Sequence, residues 1–90
     1  MTREKTKSVV DVSEEEALQK RLILFNDEVN TFDFVIDSLV EICNHDAMQA
    51  ENCAMIAHYK GKCSVKNGSF NELEPIHNAL SSRELTVEIQ

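Results

Sequence analysis

Hydrophobic positions along this chain switch between two spacings, and the switches mark its elements. Leu22-Ile23-Leu24-Phe25 is an apolar run closed by Asn26-Asp27-Glu28; its length and polar stop predict a strand. Phe32, Val35, Ile36, Leu39, Val40 and Cys43 then recur at i, i+3, i+4, i+7, i+8 and i+11, the stripe of an amphipathic helix. Asn30 or Thr31 caps it, and Asp33 in its first turn suits the helix dipole. Asn44-His45 makes the break. Asp46 with Gln49 three residues later starts a second helix. Ala50, Cys53, Ala54 and Ala57 line its inner face, Met55, Ile56 and Tyr59 widen the buried arc, and Gly61 ends it in the left-handed conformation. Lys62 to Lys66 alternates, with Cys63 and Val65 on one side, and predicts a short strand followed by a turn at Asn67-Gly68. Ser69 and Glu72 open a third helix that turns Phe70, Leu73, Ile76, Ala79 and Leu80 inward. Pro75 either kinks that helix or begins its regular part, because an interior proline removes a hydrogen bond. Leu85, Val87 and Ile89 alternate with Thr86, Glu88 and Gln90, a one-sided closing strand.

The order β-α-α-β-α-β, with one apolar stripe per helix and one apolar face per strand, predicts an α+β sandwich. A three-stranded antiparallel sheet carries three helices on one face. The 90 residues suffice for one small domain, burying roughly 60–65 % of its unfolded surface. Residues 1–20 predict a flexible N-terminal arm, with Val9, Val10 and Val12 isolated and Ser13 and Glu16 able to cap only a short turn. Residues 21–90 form the compact core.

Charge and cysteine content narrow the function. The net charge of −7 argues against nucleic-acid and anionic-membrane partners, which require a basic face. The longest wholly apolar run, Cys53 to Ala57, falls far short of the ~20 residues of a membrane span, and Met1 to Lys20 holds no basic-then-apolar leader. Cys43, Cys53 and Cys63 are an odd, widely spaced set, which favours a reducing cytoplasm over a disulfide framework. A metal reading pairs Cys43 with His45 or Cys53 with His58, but neither makes tight ligand pairs; small core residues are the simpler reading, and no metal or cofactor is expected.

Two places carry candidate chemistry. Asn26-Asp27-Glu28 puts polar groups at a strand end, where a solvated loop with a helix cap is the plain alternative to a cation site. His58 lies in the last turn of the second helix beside Ala54 and Ala57, where a satisfied core-edge histidine is the plain reading. Cys53 and His58 do not share a face at ideal helical spacing, and no catalytic triad order, phosphate-binding glycine loop or zinc-hydrolase helix is present, so no enzyme is predicted.

Asn26-Asp27-Glu28, followed in the next helix by Ile36-Asp37 and later by Ala57-His58-Tyr59-Lys60-Gly61-Lys62, resembles the ClpS family, adaptors of the Clp AAA+ protease. The resemblance runs from Leu22 to Ile89. It implies a sandwich like the C-terminal domain of the ribosomal stalk protein. It also implies a cytoplasmic, monomeric adaptor that recognises N-degrons, proteins whose first residue is bulky and apolar. The adaptor hands them to a ClpA- or ClpC-type unfoldase and its protease, into which the N-terminal arm is drawn. Carried over by position, Asn26, Glu28 and His58 hold the substrate α-amino group. Asp27 and Asn30 contact the adjoining peptide, and Phe32, Val35, Ala54, Ala57 and Leu85 wall the side-chain pocket. The sequence departs from the family pattern where Glu28 replaces the commoner Asp, Phe32 replaces Met, and Ala54 and Ala57 replace larger residues. The segment before Leu85 is also shorter.

The chemistry of such a site is simple. A free N-terminus is mostly cationic at neutral pH. An Asn carbonyl, a carboxylate and a neutral imidazole each accept a hydrogen bond from it. Charge-assisted bonds contribute about 1.5–3 kcal/mol each, and an internal amide makes none of them. Burying a Leu or Phe side chain adds roughly 1.5–3 kcal/mol, so micromolar binding survives the costs of association. The alternative is a regulator that docks on the Clp ATPase through this domain without reading N-termini.

Overall fold

The computed structural model describes residues 18–90; the rest of the predicted arm, including Ser13 and Glu16, lies outside the described residues. The elements are β1 (Lys20–Phe25), α1 (Phe32–Cys43), α2 (Ala47–Lys60), β2 (Lys62–Gly68), α3 (Phe70–Ser82) and β3 (Val87–Ile89). The sheet order is β2-β1-β3 and both pairings are antiparallel. β1, the most apolar strand, takes the centre, where both edges are paired.

Each predicted helix start is capped. Thr31, rather than Asn30, caps α1 by accepting the Phe34 N–H at 3.1 Å. Asp46 accepts the Gln49 N–H at 2.7 Å. Ser69 and Glu72 exchange both bonds of a capping box, satisfying donors a helix leaves free. Gly61 ends α2 at φ 98°, a conformation that strains any residue with a Cβ. α3 runs through Pro75 without a break. The carbonyl whose bond the ring removes belongs to Asn71, an exposed residue where water can take its place.

The core joins Leu22, Leu24 and Val65 of the sheet to Leu39 and Cys43 of α1, Ala50, Cys53 and Ala57 of α2, and Leu73 and Leu80 of α3. One face of the sheet therefore carries all three helices. Three details differ from expectation. Met55, Ile56 and Tyr59 are exposed, as are Val40 and Phe70: the alanines hold α2 close to the core, and a helix has one inward arc, which these larger side chains miss. β2 runs on through Asn67 and Gly68 instead of turning there, because Lys20 extends β1 and pairs with Gly68. β3 begins only at Val87; Leu85, 4 % exposed, belongs to the core.

β2 carries one residue more than its partner. The register steps from Leu22↔Lys66 to Ile23↔Ser64, so Val65 has no opposite residue, a β-bulge. Its carbonyl is reached by the buried His45 Nε2 at 2.7 Å. A carbonyl only accepts, so Nε2 is the donor in this contact. Nδ1 has no partner among the described residues.

Candidate functional site

The end of β1 and the end of α2 meet through one glycine. Gly61 donates to the Ala57 carbonyl at 2.9 Å, and its own carbonyl accepts the Asn26 N–H at 2.9 Å. The αL turn therefore holds the first residue after β1 against the last turn of α2, which carries His58. Residues 32 positions apart in sequence (58 − 26) become neighbours because two strands pair and one helix stops on time.

Between them opens a cavity of about 440 Å³, lined by Leu24, Phe25, Asn26, Asp27, Glu28, Asn30, Phe32, Val35, Ala54, Ala57 and His58. Its volume is within the range of small-ligand pockets. The apolar wall comes from the end of β1, the first turn of α1 and the alanine face of α2. The polar rim comes from the β1–α1 loop and His58. All the residues singled out from the sequence line it except Leu85. That residue is a correction: the α3–β3 turn passes through Glu84 at φ 67°, and the Leu85 N–H donates to the Leu80 carbonyl at 3.1 Å, which seats Leu85 in the core. Leu24 and Phe25 were not singled out. Their signal was position, directly before the polar step.

The rim residues divide by what they already hold. Asp27 closes the loop on itself: Oδ1 accepts the Val29 and Asn30 N–H groups at 2.9 Å each, and Oδ2 accepts Asn30 Nδ2 at 3.0 Å. Partial burial pushes the Asp27 carboxyl up, but the bonds from Asn30 and Val29 outweigh it and hold it below its ordinary value. Asn30 Nδ2 also donates to the Glu84 carbonyl at 2.9 Å, pinning the loop to the α3–β3 turn. Both its amide hydrogens are engaged, and its Oδ1 remains an acceptor. By contrast, Asn26, Glu28 and His58 make no side-chain hydrogen bond within the described residues. The His58 ring stands edge-on to Phe32 at 6.5 Å and to Tyr59 at 4.8 Å, which orients it without engaging its nitrogens.

A second, more polar cavity of about 320 Å³ lies near the end of α1, lined in part by Cys43, Asn44, His45, Gln49 and Lys66. Lys66 Nζ donates there to the Cys43 carbonyl at 3.2 Å. Among the described residues no cluster of three His, Cys, Asp or Glu could hold a metal ion, and no helix is long and apolar enough to cross a membrane.

Comparison with known proteins gives a consistent result. Residues 15–88 match the family model described as ATP-dependent Clp protease adaptor protein ClpS. The ATP-dependent Clp protease adapter protein ClpS of Sodalis glossinidius (strain morsitans) is 30% identical over 66 residues, covering 71% of this chain and 62% of that relative. The match thus spans less than two thirds of the relative's length. The structure of Agrobacterium tumefaciens ClpS2 bound to L-phenylalaninamide superposes with a TM-score of 0.75 at 18% identity, covering 84% of this chain and 96% of that one. At that identity the likeness speaks for the fold.

Proposed function

The chain belongs to the ClpS family of adaptor proteins of the ATP-dependent Clp protease, and from that premise we propose that its cavity receives the first residue of an N-degron substrate. The α-ammonium is held at the rim by the Asn26 carbonyl oxygen, the Glu28 carboxylate and a neutral His58 ring nitrogen. The bulky apolar side chain enters the wall of Phe32, Val35, Ala54 and Ala57. Asp27 and Asn30 border the adjoining peptide, Asp27 mainly by shaping the loop and Asn30 through its remaining acceptor. The core of residues 21–90 binds the substrate, and the arm of residues 1–20 is the segment drawn into a ClpA- or ClpC-type unfoldase, which passes the substrate to its protease. The work is done in the cytoplasm by a monomer, with no cofactor and no covalent step.

One observation carries this reading: three acceptor side chains without partners among the described residues stand together at the rim of a cavity whose wall is apolar. A cation with an apolar tail matches that pattern, and an N-terminal Leu or Phe is such a group. The phenylalaninamide named for the Agrobacterium protein has the same two parts, a free amine and an apolar side chain.

The test is a titration of Leu- and Phe-starting peptides against their N-acetylated forms. Free peptides bind in the micromolar range, and acetylation weakens binding tenfold or more, as the loss of about 1.5–3 kcal/mol per charge-assisted bond requires. Equal binding of both forms rejects the reading and leaves the regulator that docks on the Clp ATPase without reading N-termini.

A further inference from the structure

The three cysteines, scattered in sequence, gather beside one strand. Cys53 faces inward from α2 at 9 % exposure, and Cys63, half-buried on β2, packs against the same core. Their thiols converge on one carbonyl oxygen, that of Ser64, at 4.0 Å from Cys53 Sγ and 3.5 Å from Cys63 Sγ. The Cys63 thiol is close enough to Cys53 to help push the Cys53 thiol up. The fold uses neither thiol in the cavity, and a satisfied small core residue needs no second thiol at its side.

We propose that Cys53 and Cys63 are an oxidation site, a dithiol that hydrogen peroxide closes to an intramolecular disulfide between α2 and β2. Cys63, the more exposed of the two, reacts first. Its deprotonated sulfur attacks one peroxide oxygen, the O–O bond breaks, water leaves, and the sulfur becomes a sulfenic acid. The Cys53 sulfur then attacks Cys63 Sγ. The S–S bond forms, the S–O bond breaks, and the hydroxyl leaves with the Cys53 proton as a second water. Two thiols lose two hydrogens and two electrons, and one peroxide is reduced to two waters. Burial pushes the Cys53 thiol up to about 12, so it serves as the slow resolving partner rather than the one that attacks peroxide. Cys43, 1 % exposed and pushed up to about 11 by burial, offers peroxide no access. The bond would staple to the sheet the helix that carries Ala54, Ala57 and His58.

The experiment treats the folded chain with excess hydrogen peroxide, alkylates the remaining thiols and maps peptides without reductant. The expected product is a Cys53–Cys63 cross-link with Cys43 alkylated, reversed by dithiothreitol. In Cys53→Ala, dimedone traps a sulfenic acid on Cys63; in the half-buried Cys63→Ser, no cross-link forms. Four results overturn the proposal. They are a link to Cys43, chains joined to one another, Cys63 oxidised to sulfinic acid without a link, or thiols untouched by peroxide that fully oxidises free cysteine.

Discussion

The two ends of α2 use similar residues for opposite ends. Near its start, His45 is 5 % exposed and bound to the Val65 carbonyl, and Lys66 holds the Cys43 carbonyl. Each group there closes a gap in the backbone ladder, one at a β-bulge and one at a helix C-terminus. Near its end, His58 is exposed and its nitrogens bond to nothing among the described residues, beside an Asn26 and a Glu28 whose side chains are equally unengaged there. A histidine is structural or available according to whether the backbone around it has an orphaned group to offer. At the bulge it does. At the rim the orphans are already satisfied: Gly61 serves Asn26 and Ala57, and Asp27 serves Val29 and Asn30.

The comparison breaks most visibly at His45. His45→Ala strands the Val65 carbonyl in the core and leaves a void, at a cost of about 2–3 kcal/mol. In thermal unfolding this lowers Tm by roughly 10 °C for a domain of this size. Peptide affinity at 25 °C is kept. A variant with unchanged Tm contradicts the structural role.

His58→Ala reverses the pattern. Affinity for a Leu-starting peptide falls about tenfold, near 1.5 kcal/mol, while Tm moves by less than about 2 °C, as for an exposed side chain. Calorimetric titration and a melt on the same sample separate the two effects.

Acidification sharpens the same point. A protonated His58 loses its lone pair and repels the ammonium. Acid therefore weakens binding by the native chain more than binding by His58→Ala. A flat native profile removes His58 from the list of acceptors.

The smallest effect belongs to Asp27. Its carboxyl titrates below the ordinary 3.8, so the folded chain binds that proton less readily than the unfolded chain. Its contribution to stability is fully present above the ordinary value and is lost as pH falls through the lowered one. The Tm difference between the native chain and Asp27→Asn should narrow on acidification below 3.8. A constant gap shows that the loop bonds are indifferent to the charge.

Local signals were strong enough to be read directly. Thr31, Asp46 and Ser69 cap helices because a side-chain oxygen a few atoms from free N–H groups needs no distant partner. Gly61 stops α2 for a reason internal to its own backbone. The apolar run of β1 and the stripes of Leu39 and Cys43, and of Ala50, Cys53 and Ala57, state which faces turn inward, and so the order of elements and the sandwich followed from sequence. Most cavity residues were named too, but through the resemblance to the ClpS family that Asn26-Asp27-Glu28 and His58 help to carry; by themselves those residues read as a solvated loop and a core-edge histidine. What tertiary structure decided is everything that depends on how far one element slides past another. The bulge at Val65 and the extension of β2 through Gly68 come from pairing with β1, so the role of His45 was invisible before that register existed. Leu85 alternates with Val87 and Ile89 like a strand residue, yet the αL turn at Glu84 places it in the core and out of the cavity. Met55, Ile56 and Tyr59 look like core in a one-dimensional pattern. They remain in water because the sheet's helical face has room for only one arc of α2, and the alanines occupy it.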